Sequence, residues 1–177
     1  MALEALLLQK KTPILRKWFD LILEAYPSDV ATLMRKNSDP FTNPVGSTIS
    51  REIEVLLKEL CGGSDVQQCS ASLDAILKIR SVQDFSPSQA VGFVFLLKEA
   101  IESTLKEEIH KDPVAGEWKG FRSKIDALAL CAFDVYVKCR EKIYEIRVNQ
   151  ARVEKEMAFR MMDRLTHSKK KGEKEEN

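Results

Sequence analysis

The chain is poor in the residues that most active-site chemistry needs. Of its 177 residues two are histidines, His110 and His167. A zinc site needs several ligands at defined spacing, and no such spacing is present. His110, at a predicted helix end, is badly placed as an axial haem ligand, and His167 lies in a charged tail. No glycine-rich phosphate loop follows a strand and no nucleophile elbow occurs. Seven glycines and six prolines are few, which argues against a loop-rich or all-β protein. Lys and Arg total 28 against 27 Asp and Glu, a balance that excludes a simple nucleic-acid binder. No apolar run reaches 18 residues, so no membrane insertion is expected. The opening MALEALLLQKK makes a poor signal peptide, and a cytoplasmic protein is expected. The four cysteines read as thiols, packed as small hydrophobes. A convergent catalytic set, a metal site and a cofactor site are all absent from this reading.

What is there is helical. Residues 2–11 carry Leu3, Leu6 and Leu7 on one side, and Thr12-Pro13 predicts a new helix start. Ile14, Trp18, Leu21 and Ile22 follow at helical spacing, and Ser28 predicts a cap for a short helix over 29–36. In the stretch 37–46, NSDPFTNPVG, Pro40 and Pro44 are expected to forbid helix, Gly46 to supply an unusual backbone angle, and Phe41 to fold the loop back onto the body. Helix is expected again over 47–61, stopped by Gly62-Gly63, and then up to about Val82. Ser86-Pro87-Ser88-Gln89 is a capping box with proline at the first helical position. The helix it predicts, 87–109, includes VGFVFLL and is expected to be the buried centre of the fold.

From Lys119 to Leu165 only Gly120 interrupts the pattern. One helix of about 45 residues is roughly 70 Å long, against a body about 40 Å across. Residues 125–137, IDALALCAFDVYV, are apolar round most of the circumference and are expected to be packed on two sides. Beyond Lys138 the apolar residues narrow to a heptad-type seam. It runs Ile125, Ala129, Ala132, Tyr136, Cys139, Ile143, Ile146, Gln150, Val153, Met157. A narrow stripe on a projecting helix calls for a helix from another chain; the alternative is a helix that breaks near residue 140 and folds back. Cys139 on the seam also offers a redox-sensitive pair across a dimer. Charge divides too: residues 1–118 hold 13 basic and 17 acidic side chains, residues 119–164 hold 11 and 7. The second excess reads as a solvated helix face with four-residue pairs such as Asp134/Lys138 and Glu156/Arg160.

Two polar clusters are candidates for a small-ligand pocket: Asp39, Phe41 and Asn43 in the loop, and Arg80, Gln83, Asp84, Ser86 and Gln89 at a helix junction. Their structural alternative is caps, turns and an Arg80–Asp84 type pair.

Together RKWFDLILEAYP, DPFTNPVGSTI, IRSVQDFSPSQAVGFVFLLKEAI and FDVYVKCREKIYEIR make the chain resemble the amino-terminal domain of RsbRD-type proteins, co-antagonists of the RsbT kinase in bacterial stress signalling. The resemblance spans about residues 12–165. It implies an all-α helical bundle, of the non-haem globin-like type seen in related stressosome sensors, that dimerises and signals through its carboxy-terminal helix. It carries over no catalytic residue. No STAS output domain of the full co-antagonists is expected after residue 165, so the expected effect is exerted by binding an unidentified protein partner. The expected organisation is a sensory body over 1–137, a coiled-coil-type helix over 138–165 and a disordered charged tail over 166–177. The alternative function is an adaptor or assembly subunit that docks on a larger, redox-type complex through the same helix.

Overall fold

Apolar residues three and four apart set the first two helices, α1 (Ala2–Gln9) and α2 (Lys11–Leu23). The computed structural model describes residues 2–36, 39–63, 69–83 and 85–175, the side chains of Ser70 and 165–175 aside. Lys10, not Thr12, stands at the start of α2, and Pro13 falls in its first turn. Helical N–H groups there have no intrahelical acceptor, so the missing proline N–H costs nothing. After α3 (Ser28–Lys36) and α4 (Pro44–Cys61) come α5 (Ser70–Val82), α6 (Pro87–Gly92) and α7 (Leu96–Leu105). A 3₁₀ turn, Lys106–His110, leads to α8, Val114–Glu175. All regular structure among the described residues is helical.

Pro44 does not forbid helix, as the sequence suggested; it opens α4 at the first helical position, with Asn43 as cap. The Asn43 Oδ1 accepts from Gly46 N at 2.9 Å, and its Nδ2 donates to the Met34 carbonyl at 3.0 Å. Gly46 is helical rather than unusual in backbone. A Cβ there would fall 2.7 Å from Asn43 Oδ1, so glycine leaves room for the cap. The positive φ that ends α4 belongs to Gly63, at 71°.

The expected single helix 87–109 is broken. Its capping box forms as read: Gln89 N donates to Ser86 Oγ at 3.3 Å and Ser86 N to Gln89 Oε1 at 3.0 Å. At 93–95 the backbone tightens, with Val94 N donating to Val91 O and Phe95 N to Gly92 O. The Phe93 carbonyl takes the indole N–H of Trp18 at 2.7 Å, which satisfies it in a dry interior. Trp18 is wholly buried, and α2 packs on α7 and α4, and α4 on α5. Each such side chain contributes about 1.5–3 kcal/mol of burial.

The chain divides into two units, Met1–Cys139 and Arg140–Asn177. In the first, α8 buries Phe121, Ile125, Leu128, Ala129, Ala132 and Tyr136 on one side. Leu130, Phe133 and Val137 stay exposed, so this part is packed on one side and not two. In the second, no residue from 140 to 164 is buried. The helix has no break near residue 140. The tail expected over 166–177 falls where side chains lie outside the described residues; backbone helix runs to Glu175.

Candidate functional site

Three residues of the helix-junction cluster meet around one buried cation. Arg80, in the last turn of α5, is 1% exposed. Its guanidinium carbon lies 4.3 Å from the Phe85 ring centre, 5.6 Å from Tyr26 and 5.7 Å from Phe93. Nη2 donates to the Gln89 carbonyl at 3.0 Å and Nη1 to the Tyr26 hydroxyl at 3.5 Å. Tyr26 in turn donates to Gln83 Oε1 at 3.0 Å. Tyr26 and Phe85 meet edge to face at 5.3 Å. Among the described residues Arg80 has no ion-pair partner, and its Nε has no hydrogen-bond partner. Asp84, its expected partner, lies outside the described residues.

Burial lowers the Arg80 pKa, against the opposing pull of Tyr26, and burial raises that of Tyr26, against Arg80 and Gln83. A guanidinium stays charged even so, and three aromatic faces replace part of its lost hydration. The arrangement ties the end of α5 to the turn after α2 and to the start of α6. Gln89 is exposed and caps Ser86. The contacts Arg80 makes here are of the structural kind, the second of the two readings.

The loop cluster resolves differently. Asp39 stabilises its own turn: its carboxylate accepts from Phe41 N at 3.2 Å and from Thr42 Oγ1 at 2.9 Å. Asn43 is the buried cap already described. Phe41 is 95% exposed, which corrects the expectation that it folds the loop back. The turn Asp39 closes holds the ring outward.

A hollow the sequence did not reveal lies between α2, α3 and α4, with a volume of about 540 Å³. Arg16 from α2, Arg35 from α3 and Arg51 from α4 border it. Residues 19 and 35 positions apart in sequence leave no local pattern, so only the fold brings them together.

On α8, Tyr136 and Cys139, expected on the dimer seam, are buried against the chain's own body, 4% and 9% exposed. Cys139 Sγ lies 3.8 Å from Asp74 Oδ1 of α5, a position that removes it from a thiol pair across a dimer. Ile143 is half-buried, whereas Ile146, Val153 and Met157 are 52%, 49% and 65% exposed, and Gln150 is exposed with them. The four cysteines form no disulfide among themselves; burial pushes the Cys61 thiol up to about 11. His110 is exposed in the 3₁₀ turn, and among the described residues no group of His, Cys, Asp or Glu gathers as for a metal ion. Among the described residues no helix is long and apolar enough to cross a membrane.

These features define an all-helical module whose polar clusters hold the fold and whose last helix presents apolar residues at its surface. The chain belongs to the family described as the RsbT co-antagonist protein rsbRD N-terminal domain, which matches residues 12–151. Membership implies a stressosome-type regulatory, sensory role. The chain is also similar to an uncharacterised protein of Archaeoglobus fulgidus, 28% identical over 108 residues. That match covers 60% of this chain and 66% of the archaeal one. No solved structure matches.

Proposed function

We propose that the chain is a non-enzymatic cytoplasmic sensory module that pairs with a second copy through the second unit's stretch of α8. The observation that carries this is the unburied stretch 140–164. Ile146, Gln150, Val153 and Met157 recur there at steps of four, three and four, with the three apolar members about half or more exposed. Such a stripe in water is stabilised by a matching helix. Leu130, Phe133 and Val137, on the outer side of α8 in the first unit, add a second apolar face that a partner can cover. Signalling then follows from a two-state element: whatever prefers one packing of the body shifts the angle or register of the paired helices. Gln150 helps fix that register at some cost in stability.

Oxidative cross-linking tests the seam. Val153→Cys in the full chain is expected to give a doubled band on a non-reducing gel. Lys155→Cys, on the other side of the helix, is not. Equal cross-linking at both positions, or none at either, contradicts an in-register pair.

The adaptor reading has its own support. Val148, Phe159, Met161 and Met162 are 58–68% exposed and lie off the seam, more apolar surface than one homodimeric stripe covers. Methionine-rich surfaces adapt to varied partners. In this reading, truncation after Lys138 abolishes capture of a protein partner that the full chain retains.

A further inference from the structure

The hollow between α2, α3 and α4 has the chemistry of a binding site, and none of the roles above uses it. Arg16, Arg35 and Arg51, one from each helix, line its walls. The Arg35 Nε is engaged by Asp20 at 2.8 Å, and Arg51 by Glu52 at 2.8 Å. Arg16 makes no hydrogen bond or ion pair among the described residues, and it also borders a neighbouring hollow with Phe19, Asp20 and Arg35. The one carboxylate on the wall, Glu54, is already neutralised: Lys58 and Lys11, each at 2.9 Å, hold its pKa down to about 2. The floor is apolar, with Leu15, Phe19 and Met34. Ser50 adds a hydroxyl on the α4 wall.

The setting sharpens the contrast. Residues 1–118 carry 13 basic and 17 acidic side chains, so the three arginines form a positive spot on an acidic body. A long polyanion is repelled by such a surface, whereas a small anion reaches the spot alone. Planar guanidinium forks match the oxygen pairs of a phosphate or carboxylate. The volume, about 540 Å³, falls within the range of small-molecule sites, about 300–1,000 Å³.

We propose that this cleft binds a small amphiphilic organic dianion, an aryl or alkyl phosphate or dicarboxylate. Arg16, Arg35 and Arg51 take the charged end, and Leu15, Phe19 and Met34 take the carbon skeleton. The assignment rests on the sensory reading in that it names the class of input, and it is measured separately from the pairing of α8. Arg16 is the main anchor, because it gives up no partner to bind. Arg35 exchanges an exposed ion pair with Asp20, a small cost; Arg51 keeps its pair with Glu52, whose side chain is 13% exposed, and adds its remaining N–H groups.

Calorimetric titration of the full chain at low salt tests this, with phenyl phosphate and phthalate as the two probes and inorganic phosphate and phenol as controls. Saturable one-site binding of at least one probe is expected, about tenfold or more tighter than inorganic phosphate, with no binding of phenol. Which probe binds better tells the phosphate source from the dicarboxylate one. Arg16→Ala is expected to weaken binding about tenfold and Arg16→Lys to restore part of it. The melting temperature of both free variants stays at the wild-type value, since Arg16 is exposed and makes no ion pair among the described residues. Absence of saturation by either probe up to about 10 mM, or an affinity unmoved in the Arg16→Ala/Arg51→Ala double variant, overturns the assignment. Sedimentation of the same samples separates the two ideas: a dimer that binds neither probe overturns the cleft alone, and a monomer that binds one overturns the pairing alone.

Discussion

Within a single helix, the two units treat apolar side chains in opposite ways. Up to Cys139 the positions Ile125, Leu128, Ala129, Ala132, Tyr136 and Cys139 are buried among the residues of the first unit. From Arg140 to Arg164 a comparable set of apolar residues is at the surface. The chemistry of the residues does not differ; what differs is their burial. Apolar periodicity therefore says that a helix has a partner, and only the fold says whether the partner is the chain itself.

That difference is open to attack from both sides. The largest effect is expected in the first unit. Trp18→Ala removes a wholly buried ring and strands the Phe93 carbonyl, for a loss of about 3–5 kcal/mol by denaturant unfolding. Arg80→Ala empties the space among Tyr26, Phe85 and Phe93 and should cost about 2–4 kcal/mol. At about 2–4 °C per kcal/mol, thermal melting resolves that loss. Arg80→Met keeps the bulk and drops the desolvated charge, so it should recover most of the loss. A melting temperature unmoved by Arg80→Ala would return that cluster to the list of ligand sites.

In the second unit the same kind of change should move association and not the body. Gln150→Leu is expected to tighten pairing by roughly 1–2 kcal/mol, read as a lower dissociation constant, while the near-ultraviolet circular dichroism stays unchanged. Smaller still is the acid effect at Glu54. Its folded pKa lies below the ordinary 4.5, at about 2, so its ion pairs stabilise the fold above about pH 4.5 and are lost as pH falls towards 2. The pairs are partly exposed and screened, so Glu54→Gln should cost at most about 1 kcal/mol at neutral pH and nothing well below pH 2. Phe41→Ala, at the exposed turn, should stay within about 0.5 kcal/mol of wild type.

Local sequence carried much of the fold. Ser86 to Gln89 specifies both halves of its capping box within four residues, and the stripe Ile49, Ile53, Leu56, Leu57, Leu60 names the buried side of α4. Legibility failed where one element's geometry depends on another. The break at 93–95 goes with a carbonyl that Trp18 satisfies from 75 residues away, and no propensity in VGFVFLL announces it. Pro44 read as a breaker because its effect depends on being first in the helix, a position that Asn43 defines through Met34 and Gly46. The site was less legible. Arg80, Gln83 and Gln89 do meet, but around Tyr26, Phe85 and Phe93, of which the polar pattern gave no hint. Of the expected seam, Tyr136 and Cys139 are buried, Cys139 beside Asp74 of α5, which spacing along α8 cannot encode.

Sedimentation equilibrium at tens of micromolar, run on the full chain beside an Ile146→Lys/Val153→Lys variant, addresses the uncovered stripe most directly. Twice the chain mass for the natural sequence and a single chain mass for the variant is the expected result. A natural sequence that sediments as one chain throughout that range contradicts the account.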